Sequence, residues 1–383
     1  MRVPMDTLTD EQRAIVAAVR DFAQAELAPN ALDWDRTGFF PVDTLRRSGE
    51  LGLGGIYVRE EYGSGLTRLD AALIFETLAR ADPCIAAYIS IQNMVAWMID
   101  RFGGDELRER WLPGLCTFEL RASYCLTEAE AGSDAAALRT RAEIDGDDFV
   151  ISGEKQFISG AGSSDVYVVM ARTGGPGPKG ISAIVVPADS GGLHFGADEK
   201  KMGWRAQPTR RVTFDGVRVP RSNVLGAEGA GFSIAMAGLN GGRVNIGACS
   251  LGGAQWAFET AASYVQQRRA FGEPLAAQQS VVFALADMKT ELTAARGLLH
   301  QAARALDAAE PEAVELCAMA KRFATDAGFE VANRALQLHG GYGYLNDYGL
   351  EKIVRDLRVH QILEGTNEIM RLIVGRSIVK DGR

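Results

Sequence analysis

Metal-ligand patterns are what this chain lacks first. Its 383 residues include only four histidines, at 194, 300, 339 and 360, and none falls in an HExxH or comparable spacing, so no metal site is expected. The five cysteines, Cys84, Cys116, Cys125, Cys249 and Cys317, form no CxxC pair, and an odd number suits a reducing compartment better than a disulfide scaffold. Surplus positive charge is missing as well: 41 Lys and Arg against 49 Asp and Glu leave a formal net charge of -8, which argues against a nucleic-acid partner. Any anionic ligand must be held by local groups. No apolar run approaches the ~18 residues of a membrane span. The opening MRVPMDTLTDEQRAIV has neither the apolar core of a signal peptide nor the Arg/Ser-rich, acid-poor character of a transit peptide. A cytoplasmic protein, or a mitochondrial matrix protein already trimmed, is the expectation.

What is present has the composition of an ordinary globular chain, long enough for two or three domains. Thr9 and Gln12 form a capping box, and Ile15, Val19 and Phe22 follow at helical spacing. Helical patterning continues through LDAALIFETLARAD and CIAAYISIQNMVAWMIDRFG, so residues 1–120 read as an all-α domain. From Arg121 the texture changes: FVISGEKQFISG, SDVYVVMAR, GISAIVVPA and RRVTFDGVRVP are short, β-branched and separated by Gly, Pro and Asp clusters. Residues 121–226 read as an antiparallel β domain, because turns and not helical crossovers join its strands. Long Ala- and Leu-rich segments fill residues 227–383, which read as a four-helix bundle. The fold class expected is thus α+β, multidomain. GGYGYLNDYG and GAEGAG hold closely spaced glycines, but neither follows a strand and opens a βαβ unit, so both are weak phosphate-loop signals.

One stretch, HQILEGTNEIMR, poses a chemical question. Glu364 follows the apolar pair Ile362–Leu363 and precedes Gly365, which offers no cover. A carboxylate among apolar groups has a raised proton affinity, as a general base requires. A partly exposed Glu opening the next helix is the bland alternative, and local sequence leaves both open.

YCLTEAEAGSD, RRAFGEPLAAQQ, LQLHGGYGY and ILEGTNEIMR, together with the α, β, α order of domains, resemble the acyl-CoA dehydrogenase family of flavoproteins, over essentially the whole chain. Within that family FISGAG, QPTR, GLNGGRVNI and RVHQILEGTNE are most similar to the isobutyryl-CoA branch, which acts in valine breakdown. The resemblance implies FAD as cofactor, a short branched acyl-CoA as substrate, electron-transfer flavoprotein as acceptor and a homotetramer. It also implies that Glu364 takes the α-proton of the thioester while flavin N5 takes the β-hydride. Isovaleryl-type relatives carry their base at the position of Gly242, where no second base exists here. Alternatives are a straight-chain or 2-methyl-branched specificity, an oxidase, and a non-catalytic acyl-CoA- or FAD-binding subunit.

By the same resemblance Tyr124, Cys125, Leu126, Thr127, Gly132 and Ser133 would line the flavin, with Ser133 also reaching substrate. On spacing alone Thr127 and Ser133 could as well be turn formers, and Cys125 reads as an inert buried thiol. Ala129 stands where the family usually has Pro. Phe157, Ile158 and Ser159 would pack on the flavin, although an aromatic in a strand is usually core. Arg268, Gln278, Gln279, Gln337, Leu338, His339, Gly340 and Gly341 match positions that hold the ADP half of FAD across a subunit boundary. Thr366, Asn367 and Glu368 would complete the flavin site. Asn240, Gly241, Gly242, Arg243, Gly365 and Arg376 match acyl-CoA-contacting positions.

Overall fold

The computed structural model describes residues 8–381, with side chains as far as Val379. Six helices come first: α1 (Asp10–Phe22), α2 (Ala31–Thr37), α3 (Val42–Gly49), α4 (Arg68–Ala79), α5 (Pro83–Phe102) and α6 (Asp105–Cys116). The Thr9 capping box is formed as expected, Thr9 Oγ1 accepting the Gln12 amide at 3.1 Å and Gln12 Oε1 accepting the Thr9 amide at 3.2 Å. Val19 is buried, and Ile15 and Phe22 pack against the same core. Helices α4 and α5 are buried on nearly every face, as expected of helices sandwiched between two layers.

The strands are β1 (Ala122–Cys125), β2 (Arg141–Asp145), β3 (Asp148–Ser159), β4 (Val166–Arg172), β5 (Ile181–Pro187), β6 (Leu193–Phe195), β7 (Thr209–Pro220) and β8 (Val224–Leu225). They form one eight-stranded sheet in the order β6-β7-β3-β2-β4-β5-β8, with β1 added beside β4. The sheet corrects the expectation of a purely antiparallel domain. β1 pairs with β4 in parallel, Ala122 opposite Val166, and β2 touches β4 in parallel at Arg141 and Arg172. The β2–β3 hairpin intervenes between β1 and β4, so the chain returns in its original direction.

The remaining helices are α7 (Gly231–Gln267), α8 (Gln279–Asp307), α9 (Ala313–His339), α10 (Leu350–Arg358) and α11 (Asn367–Asp381), with a small hairpin of β9 (Arg269–Ala270) and β10 (Glu273–Pro274) between α7 and α8. Helix α7 is the spine: α4, α5, α8 and α9 all pack on it. Close approach is possible because it carries glycine at the contacts. A Cβ on Gly252 would lie 2.2 Å from the Glu76 carbonyl of α4. This packing sets α7 and the turn before α11 against the ends of β1 and β3, where a cleft forms. No described helix is long and apolar enough to cross a membrane.

Candidate active site

The cleft encloses about 290 Å³ between sheet, α5, α7 and the turn before α11. At the end of β1 alternation sorts the side chains: Tyr124 and Leu126 line the cleft, whereas Cys125 is fully buried in the core on the sheet's other side. Burial pushes the Cys125 thiol up to about 12, so it is inert as expected, and its backbone is the part left near the cleft. Thr127, Gly132, Ser133, Ile158 and Ser159 also line the wall. The ladder of β3 on β7 slips between Lys155 and Ile158, and this bulge turns Phe157 outward. Phe157 is 63 % exposed and is therefore cleft wall, not core.

Three non-glycine residues of the wall, Phe157, Trp204 and Glu364, have positive φ (61°, 53° and 55°). Left-handed backbone is strained for such side chains, and its concentration on one cavity marks a place where surrounding structure overrides local preference. Trp204 is held by its backbone amide, which donates to Asp356 Oδ1 at 2.7 Å, and by its indole N–H, which donates to His360 Nε2 at 3.2 Å. Because the indole only donates, Nε2 is the acceptor and the neutral imidazole carries its proton on Nδ1, 2.6 Å from Ser250 Oγ. Burial depresses the His360 pKa to about 3, in keeping with that neutral form.

Glu364 reaches the same cleft from the turn before α11. Its Oε2 is buried with no hydrogen-bond partner among the described residues. Burial pushes the carboxyl up to about 7, against the opposing pull of Arg243 and Lys321. Arg243 Nε donates to the Glu364 carbonyl at 3.3 Å, and another guanidinium nitrogen donates to Asn240 Oδ1 at 2.7 Å. Gly242 faces the carboxylate: a Cβ there would lie 2.5 Å from Oε2. The two positions at which the sequence resemblance suggests a base thus meet in space, and only Glu364 carries a carboxylate. Gly365 lines the cleft beside it, while Gly241 instead backs onto the Arg68 guanidinium of α4.

A second cavity of about 390 Å³ shares no wall residue with the first. It collects Arg268, Gln337, Leu338, His339, Gly340 and Gly341 with Tyr264, Tyr342 and Leu345. The His339 ring stacks on Tyr264 at 4.2 Å, and the Arg268 guanidinium lies 5.6 Å from the Tyr342 ring centre. Gln278 and Gln279 are exposed at the start of α8, outside this cavity. Other expected residues also stand apart from both cavities. Thr366 Oγ1 accepts the Ile369 amide at 3.3 Å, Asn367 turns its side chain toward α9, and Glu368 faces solvent beside Arg371. Arg376 is exposed on α11. A larger cavity of about 630 Å³, between α1, α4, α7 and α10, holds none of the candidates.

Sequence reasoning did not single out Trp204, Met236, Lys321 or His360, although the first two line the cleft and the others support it. Trp204 and Lys321 stand in MGWRAQPTR and AMAKRF with no local signal beyond a large aromatic in a loop and a Lys in an Ala-rich helix.

Comparison with known proteins matches three parts of the chain. Residues 9–119 match the N-terminal domain of acyl-CoA dehydrogenases, 123–217 the middle domain and 229–379 the C-terminal domain. The chain is 51 % identical over 379 residues to mitochondrial isobutyryl-CoA dehydrogenase of Bos taurus, covering 99 % of this chain and 91 % of that protein. It is 52 % identical over 380 residues to the mitochondrial isobutyryl-CoA dehydrogenase of Dictyostelium discoideum, with the same coverage of 99 % and 91 %. The solved structure of butyryl-CoA dehydrogenase from Megasphaera elsdenii superposes with a TM-score of 0.94 at 35 % identity, covering 99 % of this chain and 100 % of that one.

Proposed function

Because the chain belongs to the acyl-CoA dehydrogenase family, we propose that it dehydrogenates a short branched acyl-CoA, isobutyryl-CoA to methacrylyl-CoA, as a step of valine breakdown. The observation that carries this reading is Glu364: a carboxylate with its Oε2 buried and unpartnered, pushed up to about 7, at the wall of a mostly apolar cleft. A base whose proton affinity lies near neutrality accepts an α-proton without being wholly protonated beforehand.

The chain's own groups suit the family's cofactor. The cleft wall of Tyr124, Leu126, Thr127 and Ile158 offers an apolar face with hydroxyls at its rim, and the Tyr124 hydroxyl is buried without a partner among the described residues. Thr127, Gly132, Ser133, Phe157, Ile158 and Ser159 would hold the flavin, and Arg268 with Gln337 to Gly341 would hold the ADP half in the second cavity of a neighbouring copy. FAD, when bound, supplies the acceptor for the hydride leaving the β-carbon. Glu364 would remove the α-proton, and its own backbone N–H would be the protein's donor to the thioester oxygen as charge develops there. Asn240, Gly242, Arg243, Gly365 and Arg376 are proposed acyl-CoA contacts; Arg243 gives local positive charge to a chain that is acidic overall.

A homotetramer is supported by exposed apolar groups near the second cavity: Phe271 is 97 % and Tyr344 77 % exposed. Electron-transfer flavoprotein is the proposed acceptor, on the family's precedent. A straight-chain specificity is the second reading, favoured by the fold match to a butyryl-CoA enzyme but at lower identity than the isobutyryl relatives. Anaerobic titration of the yellow protein with isobutyryl-, butyryl- and 2-methylbutyryl-CoA decides between them. Bleaching of the flavin first by isobutyryl-CoA is expected; preferential bleaching by another chain would replace the substrate, and none with any of them would remove the dehydrogenase reading.

A further inference from the structure

Lys321 of α9 has no part in the chemistry described above, yet it is fully buried. A buried ammonium is unfavourable unless it is paired and hydrogen-bonded. Among the described residues Lys321 forms no ion pair; its Nζ instead donates to the Gly365 carbonyl at 2.8 Å and to Asn367 Oδ1 at 2.9 Å. The Asn367 amide nitrogen passes on to Asp326 Oδ1 at 2.7 Å and to Thr325 Oγ1 at 3.0 Å. By hydrogen bonds the ammonium therefore reaches an acidic side chain only through Asn367.

From the other side, Arg243 of α7 donates to the carbonyl of Glu364. Two successive carbonyls each receive a cationic donor, one from α7 and one from α9, and neither donor is spent on the carboxylate, whose Oε2 stays free. The dipeptide held in this way is left-handed at both residues, φ 55° at Glu364 and 87° at Gly365. Such a turn is unfavourable for a glutamate and persists only where outside contacts hold it. An ion pair on the carboxylate itself would have weakened it as a base; donors on the backbone hold the turn without that penalty.

We propose that Lys321 is a positioning residue for the base, its ammonium pinning the Gly365 carbonyl and Asn367 so that the Glu364–Gly365 turn keeps the carboxylate aimed into the cleft and unpaired. This rests on the reading of Glu364 as the base. A second consequence is electrostatic. The groups facing Glu364 are Arg243 from α7, Lys321 from α9 and the neutral, buried hydroxyls of Tyr57 and Tyr124, with Arg68 of α4 behind the Tyr57 ring at 3.6 Å. Burial lowers the Lys321 pKa to about 8 and Arg243 adds to the lowering, opposed by Glu364 and, less strongly, by Asp326 and Glu368, so the ammonium is still mostly charged where Glu364 titrates. Loss of the Lys321 charge removes one of the two cations that favour the ionised carboxylate, so the rising limb of rate against pH moves to higher pH.

The test compares Lys321→Met and Lys321→Arg with the unaltered FAD-loaded protein, using whichever acyl-CoA bleaches the flavin. Flavin-reduction rate is followed against pH, alongside FAD content, acyl-CoA affinity and the carboxyl band of Glu364 in difference infrared spectra. Lys321→Met is expected to slow reduction by about 10- to 100-fold and to shift both the limb and the carboxyl titration upward by about one pH unit, with FAD content and affinity kept. Lys321→Arg is expected to keep the limb in place but remain slower, because a planar fork does not fit where a compact ammonium donates. An unchanged rate and limb in Lys321→Met overturns the proposal. Should that variant not retain FAD, Asn367→Ala removes the second acceptor and keeps the charge: a rate lowered about threefold or more supports the proposal, and an unaltered rate overturns it. Glu364→Gln serves as the control, since continued flavin reduction there would defeat the base reading itself and not the role of Lys321.

Discussion

Lys352 and Glu364 are both ionisable residues that the fold hides, and it treats them in opposite ways. Lys352 of α10, 2 % exposed, lies between Asp356 Oδ2 at 2.7 Å and Asp82 Oδ1 at 3.0 Å. Burial alone would lower its pKa, but the two carboxylates outweigh that and push it up. Asp356 also takes the Trp204 amide, so the cluster ties α10, the N-cap of α5 and the loop carrying the cleft's tryptophan together. Glu364 has cations near it too, yet Arg243 binds its carbonyl and Lys321 that of Gly365, which leaves Oε2 unpartnered. A buried ammonium held between two carboxylates ties elements together; a buried carboxylate whose cationic neighbours bind carbonyls instead of its Oε2 is kept in a state that pairing would relieve.

Breaking the paired cluster has the largest expected effect on stability. Lys352→Met leaves Asp82 and Asp356 buried and facing each other, a loss of about 3–5 kcal/mol, to be read as a lower denaturation midpoint. Relieving the unpaired group acts in the other direction. The folded protein keeps the Glu364 proton up to about pH 7 whereas the unfolded chain releases it near the ordinary value of 4.5. Stability from this group is therefore full below that ordinary value and is lost as pH rises through 7. Glu364→Gln removes the charge, so the variant is expected to be more stable than the parent by on the order of 2 kcal/mol at pH 8, with most of the gap gone by pH 5. Melting curves at the two pH values test the sign; a gap that is equal at both would contradict it. Gly242→Ala sharpens the comparison with the least change. Alanine adds helix propensity in the interior of α7, about 0.5–1 kcal/mol, but its Cβ would contact the carboxylate at 2.5 Å. Flavin reduction is expected to fall about tenfold, as small misplacements of a reacting group do, while the melting temperature holds or rises.

Much of this molecule is legible along the chain. The Thr9–Gln12 capping box, the short β-branched strands after Arg121 and the long Ala- and Leu-rich helices after Gly231 are local patterns, and each forms where its pattern stands. The residues around EGT could be matched as a motif, with Glu364 as the candidate base. Less legible was the direction in which each side chain of a motif turns. Cys125 belongs to the same quoted run as Tyr124 and Leu126 but faces the opposite side of the sheet, and Asn367 turns away from the cleft to join Lys321 and α9. Phe157 left the core because of a one-residue slip between two strands, which depends on β7, more than fifty residues later.

Periodicity and capping are properties of neighbours a few residues apart, so they specify which elements form and in what order, and a motif of adjacent residues can name the chemical group. Burial, pairing and backbone strain depend on residues brought together from distant parts of the chain. Glu364 acquires its raised proton affinity only through burial, when Gly242 of α7 and the cleft wall close over a turn that Arg243 of α7 and Lys321 of α9 hold by its carbonyls while opposing that rise.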